Sequence, residues 1–420
     1  RYFGVPFPVW YVRELNKGDW IPIVANDSDL PVNPLAQAPH GMNPVGTDFS
    51  EHGGGKVYIA EKDIIGQDGK VAFAGDGRTH LEVRPDPDVM DTWATSSVSP
   101  QLSSKAWVNP ERHKKLFPAD MRPQAHEIIR TWAYYTIAKA LLHENTIPWK
   151  NVVISGWCLA EDKSKMSKSK GNVITPVPMV ESKSADVVRY WTSTSGLGAD
   201  TAYSEKVLDV GKKLINKLWN VCKFASVNLG KLQDGAQPTE VMDIWILSKL
   251  NKVIASATAS FEIFEYSRAR QTIEDFFWKD FCDNYLEIVK ARSYGETCTA
   301  EQQQSALITI KTCVEVLLKL WAPFVPHITE ELNAIIFGGQ ESYKSIHRRG
   351  NWPKADLVNE AKSEKIGDAL VDALEAVRKF KSDRNISIKF PIKKLIASIP
   401  TIEVVENLPP TDSSIEKVVR

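Results

Sequence analysis

The chain has 420 residues, 43% of them hydrophobic and 25% charged, and its 52 basic residues balance 52 acidic ones. That length and apolar fraction allow more than one buried core, so two or three domains are expected, and the zero net charge excludes a global field for nucleic acid, leaving local patches for any such contact. Five cysteines, odd in number and far apart, argue against a disulfide framework or a two-pair metal knuckle. No apolar run reaches the eighteen residues of a membrane span, and residues 1–20 carry no signal-peptide pattern, so a cytoplasmic protein with no membrane partner is expected.

In chain order, an aromatic, proline-containing segment comes first, Arg1-Tyr2-Phe3-Gly4-Val5-Pro6-Phe7-Pro8-Val9-Trp10. Residues 21–87 follow, rich in Pro, Gly, Asp and Asn, with short apolar pieces at 56–60 and 71–74; these read as small strands and long loops. From Ala125 to His143, Ile128, Ile129, Trp132, Tyr135, Ile137, Ala140 and Leu141 recur at helical spacing, which predicts a helix with one buried face. The apolar run at 151–158 predicts a buried strand. Thr175-Pro176 is a helix-start signal, and a helix is expected over about 178–192.

Between that strand and that helix lies Lys165-Met166-Ser167-Lys168-Ser169, followed at once by Lys170-Gly171-Asn172. Two ammonium groups and two hydroxyls on a loop can gather round a triphosphate and stabilise the charge on departing pyrophosphate, and lysine suits this as a compact, mobile point charge. The alternative is a solvated lysine-rich turn; strand, basic loop and helix in sequence favour a nucleotide site.

Past residue 203 the pattern changes to long amphipathic helices. Val207, Val210, Leu214, Ile215, Leu218 and Trp219 mark the first, Ile244, Leu247, Leu250, Val253 and Ile254 the second, Phe276, Phe277, Phe281, Tyr285 and Leu286 the third, and Ile308, Ile310, Val314, Leu317 and Leu318 the fourth. Together they predict a helix bundle. A helix at 361–380 and a strand over 386–399 are expected beyond it.

At the lysine loop the chain resembles the class I aminoacyl-tRNA synthetases, and Asp88-Val89-Met90-Asp91-Thr92-Trp93-Ala94-Thr95-Ser96-Ser97 is similar to the valyl branch of that family. Trp321-Ala322-Pro323-Phe324-Val325-Pro326-His327-Ile328-Thr329-Glu330-Glu331-Leu332 resembles a block late in the family's anticodon-binding domain. The resemblance implies an α/β fold, with residues 1–202 the C-terminal part of a Rossmann-like catalytic domain carrying an insertion at 21–87. It further implies an all-α anticodon-binding bundle at 203–350 and an extension at 351–420. Two features point to the C-terminal part of a longer protein: the chain begins at Arg1, and no His-Ile-Gly-His-type signature appears. Half of a parallel sheet, with exposed apolar faces, is then expected, and an editing site upstream.

The resemblance assigns ATP, with Mg2+, as the activating substrate, valine and tRNA(Val) as partners, no structural metal, and a monomer when complete. Lys165 and Lys168 are the implied catalytic residues, holding the β- and γ-phosphates, with Met166, Ser167, Ser169, Gly156, Gln124 and Glu127 around the ATP. Gly156 is equally readable as a strand-end turn. The family's usual Gly and Asp are replaced here by Ala125 and Glu127, so Glu127 also reads as a charge favouring a helix N-terminus. Trp93, Ile128 and Trp132 are the implied walls of the valine pocket, the alternative for each tryptophan being plain core. A pocket that packs only methyl groups discriminates weakly against threonine, a limit for which the valyl enzymes are themselves the standard example. The nearest rivals are isoleucyl- or leucyl-type synthetases and a non-catalytic tRNA-binding protein. For the aromatic run at 276–281, base stacking and ordinary core both remain open, and Arg348 with Arg349 are candidate phosphate contacts.

Overall fold

The computed structural model describes residues 4–45, 56–296, 298–338, 344–348 and 350–392. The chain divides into two compact units, residues 1–153 and 154–420.

The first unit is built on a five-stranded sheet of β1 (Val9–Glu14), β2 (Ile21–Val24), β3 (Met42–Pro44), β4 (Lys56–Ala60) and β7 (His80–Pro85), in the order β2-β1-β7-β4-β3. Every neighbouring pair is antiparallel. The period-2 pattern explains the layer: Trp10, Val12, Ile23, Tyr58, Leu81 and Val83 alternate inward and form one core. The outer face of β1 and β7 carries Tyr11, Arg13, Glu82 and Arg84, whose two guanidiniums lie 4.5 and 4.1 Å from the Trp20 ring. β5 (Ile64–Ile65) and β6 (Val71–Phe73) form a small hairpin. The reading of 21–87 as short strands and loops agrees with this.

Three short helices follow, α1 (Thr92–Ser96), α2 (Ser99–Ser104) and α3 (Pro110–Leu116). Next come β8 (Ala119–Ala125), a 3-10 turn at His126–Ile128, a wide turn of π-helix at Ile129–Ala133, and α4 (Tyr134–Glu144). β8 pairs with β9 (Trp149–Ser155) in a two-stranded sheet.

Two expectations fail here. The 125–143 segment is not one helix with a buried apolar face: Ala133, Thr136 and Ala140 are buried, while Ile129, Tyr135, Ile137 and Leu141 are exposed. The helix leans on short α1, which covers only a narrow stripe. Likewise β9 is not a buried strand, since Val152 and Ile154 are exposed; a two-stranded pair covers neither face.

In the second unit, β10 (Cys158–Leu159) pairs in parallel with β11 (Thr201–Ala202). Between them run the lysine loop, α5 (Pro176–Lys183) and α6 (Ala185–Thr192). Thr175 stands at the N-cap and Pro176 opens α5, as its dipeptide predicts.

The helix bundle comprises α7 (Glu205–Leu229), α8 (Val241–Glu262), α9 (Tyr266–Asp275), a π-helical stretch Phe276–Tyr285, α10 (Leu286–Tyr294), α11 (Ala300–Trp321), α12 (Pro326–Phe337) and α13 (Ala361–Asp383). Trp245, Trp321, Tyr285, Phe277 and Phe281 fill its centre, which decides those phenylalanines for core over base stacking. On α7, Val210 and Trp219 face solvent although both were expected on its buried face. No strand is present over 386–392, where the chain turns after α13; the remainder of that expected strand lies outside the described residues.

Candidate functional site

The lysine loop is a compact hairpin with a stapled base. After β10 the chain turns at Lys163, whose φ is 62°, closed by Lys163 N–H to Ala160 O and Ala160 N–H to Ser164 O, both 2.9 Å. Lys165 then bridges antiparallel to Leu159. Asp162 accepts the Ser164 N–H at 2.9 Å, and hydrogen bonds from Ser164, side chain and backbone, hold its carboxyl below the ordinary range. Lys168–Lys170 form a 3-10 turn with Ser167 at its cap. Gly171 ends it at φ 66°, in the left-handed region that glycine tolerates best.

Asn172 ties the ends together. Its Oδ1 accepts the Ser167 N–H at 2.9 Å, and its Nδ2 donates to Ser164 Oγ at 2.9 Å and to the Lys165 carbonyl at 3.3 Å. Ser167 and Ser169 hydroxyls lie 3.2 Å apart. Lys165, Lys168 and Ser169 are exposed, and Met166 is half-buried. The loop therefore presents two ammonium groups and two hydroxyls from a fixed backbone, the donor set that a polyphosphate requires.

Gly156, at the strand end, passes so close to residues 199–200 that an added Cβ would lie 2.3 Å from the Ala199 carbonyl oxygen. Close approach alone requires glycine here. Beside it, the Trp157 ring lies under Lys165, with Nζ 3.7 Å from the centroid, a cation–π distance. In sequence, Trp157 is marked only as an aromatic next to a strand-end glycine, eight residues before a loop lysine.

In the first unit, Asp91 caps α1 by accepting the Trp93 N–H at 2.8 Å. Trp132 donates its Nε1–H to the Ser96 carbonyl at 2.9 Å, and Lys139 donates to the Ala94 carbonyl at 2.6 Å. These bonds bring the α1 turn bearing Trp93 to the π-turn bearing Trp132. Trp93, Ile128 and Trp132 are all half-buried, and Glu127 is exposed. Gln124 is buried on β8 and donates to the Ala125 carbonyl at 3.0 Å. Two positions before it, Arg122 is 8% exposed and stacks 3.4 Å from the Trp132 centroid and 4.9 Å from that of Trp149. Burial lowers its pKa from the ordinary value. Arg122 Nε and Nη2 and Gln124 Oε1 find no hydrogen-bond partner among the described residues.

The motif at 321–332 has a structural explanation. Asp186 of α6 accepts the backbone N–H groups of His327 (3.2 Å) and Ile328 (2.7 Å) in the first turn of α12. Arg189 donates to the Pro323 carbonyl at 2.7 Å, and the Tyr190 hydroxyl donates to Glu274 at 2.8 Å, itself paired with Arg270. Arg348 is exposed and lines a cavity of about 280 Å³ with His347, Lys319 and Trp352; Arg349 lies outside the described residues.

Comparison with known proteins agrees with the order of these parts. The family described as tRNA synthetases class I (I, L, M and V) matches residues 57–204, and the anticodon-binding domain of tRNA ligase matches residues 243–396. A valine–tRNA ligase of Rickettsia felis is 47% identical over 95% of the chain and 43% of its own length; one from Wolbachia sp. subsp. Brugia malayi is 47% identical over 94% and 42%. The chain belongs to the class I tRNA synthetases. It spans just under half the length of these relatives. In fold, this synthetase chain is similar to a LeuRS of Agrobacterium radiobacter K84, solved in a ternary complex with tRNA and LeuAMS, with a TM-score of 0.57 and 20% identity over 91% of this chain and 47% of that one. Among the described residues of this synthetase chain no helix is long and apolar enough to cross a membrane.

Proposed function

We propose that this chain carries the lysine-loop part of the active site and the anticodon-binding bundle of a cytoplasmic valine–tRNA ligase. The observation that carries the reading is the stapled loop presenting Lys165 and Lys168, in a chain 47% identical to valine–tRNA ligases over 95% of its length. In this reading residues 1–202 belong to the catalytic part, 203–350 to the bundle and 351–420 to an extension.

A valine carboxylate oxygen attacks the α-phosphorus of ATP; the new O–P bond forms as the bond to the bridging oxygen breaks, and pyrophosphate leaves with the electron pair. Lys165 and Lys168 neutralise the charge that grows on the leaving β- and γ-phosphates, and Ser167 and Ser169 add hydroxyl donors. Mg2+ accompanies the triphosphate and shares that charge. A tRNA(Val) terminal hydroxyl then attacks the adenylate carbonyl and AMP departs. Trp93, Ile128 and Trp132 pack the valine methyl groups, Gly156 gives the nucleotide access to backbone, and Gln124 and Glu127 supply polar contacts near the ribose.

The test is amino-acid-dependent exchange of pyrophosphate into ATP by the protein containing this chain, across valine, isoleucine, leucine and threonine. Exchange fastest with valine is expected. Equal exchange with isoleucine or leucine would assign another branch, and none with any amino acid would overturn the ligase reading. In that protein, Lys168→Ala is expected to slow exchange by about 10²-fold or more, the scale of losing one transition-state donor, with valine binding nearly unchanged.

A further inference from the structure

We infer that Trp157 is a positioning residue for the lysine loop: its indole face is the platform that holds the Lys165 ammonium ready for the polyphosphate. The inference rests on the phosphate-handling reading of the loop and adds to it a residue outside the loop.

Trp157 is fixed at both backbone groups. Its N–H donates to the Asp200 carboxylate at 2.7 Å, and its carbonyl accepts the Thr201 N–H at 2.8 Å, one residue before the parallel β10–β11 pairing begins. Immediately before it, Gly156 is pressed against Ala199, so the ring stands on crowded, fully bonded backbone.

Lys165 reaches the ring from the opposite arm of the hairpin. The Leu159–Lys165 bridge fixes where its side chain starts, the Asn172 amide holds its carbonyl, and Nζ ends 3.7 Å from the ring centroid. A lysine on an exposed loop otherwise samples many rotamers, and that freedom is lost when a ligand is bound. The indole removes part of this loss beforehand. It contributes through the negative face of the ring, which attracts the ammonium.

Calorimetric titration of the 420-residue chain with inorganic tripolyphosphate tests this. Trp157→Phe keeps an aromatic face and is expected to bind within about threefold of the unaltered chain; Trp157→Leu removes the face and is expected to weaken binding about fivefold. In a Lys165→Met background, Trp157→Leu is expected to have no further effect. Trp157→Met replaces the leucine variant if that one fails to fold. Equal affinity of the aliphatic variants and the unaltered chain, or equal losses for Phe and Leu, would overturn the platform while leaving the lysine loop as the phosphate site. Unchanged binding in Lys165→Met, or no binding by the unaltered chain, would instead remove the phosphate reading itself and the platform with it.

Discussion

Arg122 in the first unit and Arg292 in the second are both buried, and they are treated in different ways. In the bundle, Arg292 forms a two-pronged pair with Asp243 at 3.0 and 2.8 Å. Asp243, fully buried, also accepts the Tyr285 hydroxyl at 2.8 Å and Ser305 Oγ at 2.5 Å. Burial pushes the Arg292 pKa down, but the Asp243 charge and hydrogen bonds outweigh it, and the net shift is upward. Arg122 of β8 is buried between two indoles, and two of its nitrogens find no partner among the described residues. Burial by itself shifts its pKa downward. Arg292 Nε also finds no partner among the described residues, so the difference lies in the carboxylate that answers its two terminal nitrogens; a buried charge answered only by ring faces is a much weaker arrangement.

Breaking the answered pair should have the largest effect. Asp243→Ala leaves Arg292 buried without its carboxylate and is expected to cost about 3–5 kcal/mol in denaturant unfolding of the bundle; a loss under 1 kcal/mol would mean that Arg292 escapes to solvent. Gly156→Ala, which forces a Cβ against the Ala199 carbonyl, is expected to cost about 1–3 kcal/mol, read by the same unfolding curves.

A half-exposed set of pairs sharpens the contrast. On α13, burial pushes Glu364 up, but hydrogen bonds from Lys252 and Ser248 outweigh it, and the net shift is downward; for Asp368, bonds from Lys249 and Trp245 outweigh burial in the same way. A carboxyl whose pKa is depressed by folding stabilises the fold above its unfolded value, and that contribution is lost as pH falls through the folded value. The packing of α13 on α8 should therefore weaken below about pH 4, the ordinary carboxylate range, seen as faster hydrogen exchange in α13; exchange independent of pH after correction for intrinsic rates would deny these carboxylates that role. The smallest effect belongs to Arg122→Met, expected within about 1 kcal/mol of the unaltered protein, since loss of the ring contact offsets relief of the buried charge. A loss of several kcal/mol would show that Arg122 has an anionic partner.

Local chemistry made much of the molecule legible from sequence. Thr175-Pro176 announces α5, and the period of 244, 247, 250 and 254 announces α8. What escaped was decided by neighbours distant in sequence. Ile137 and Leu141 have helical spacing, but whether a stripe is covered depends on what packs there, and in this segment Ala133, Thr136 and Ala140 are the buried positions. At the candidate site, lysine spacing was readable, whereas the platform under Lys165 depends on a strand end pinned by Asp200. Nothing in the sequence around Asp186 marks its bond to the α12 turn, which spans 141 residues.

The three attachments of α6 bear on protein engineering. Asp186, Arg189 and Tyr190 all find their partners in the segments that form or border α9 and α12. Severing the chain at residue 203, where long helices begin, would strip an acid, a base and a phenol of those partners in one stroke and expose the beginning of α12. A recombinant exchange of bundles between homologues has its natural seam before Ala185, with α6 travelling as part of the cargo.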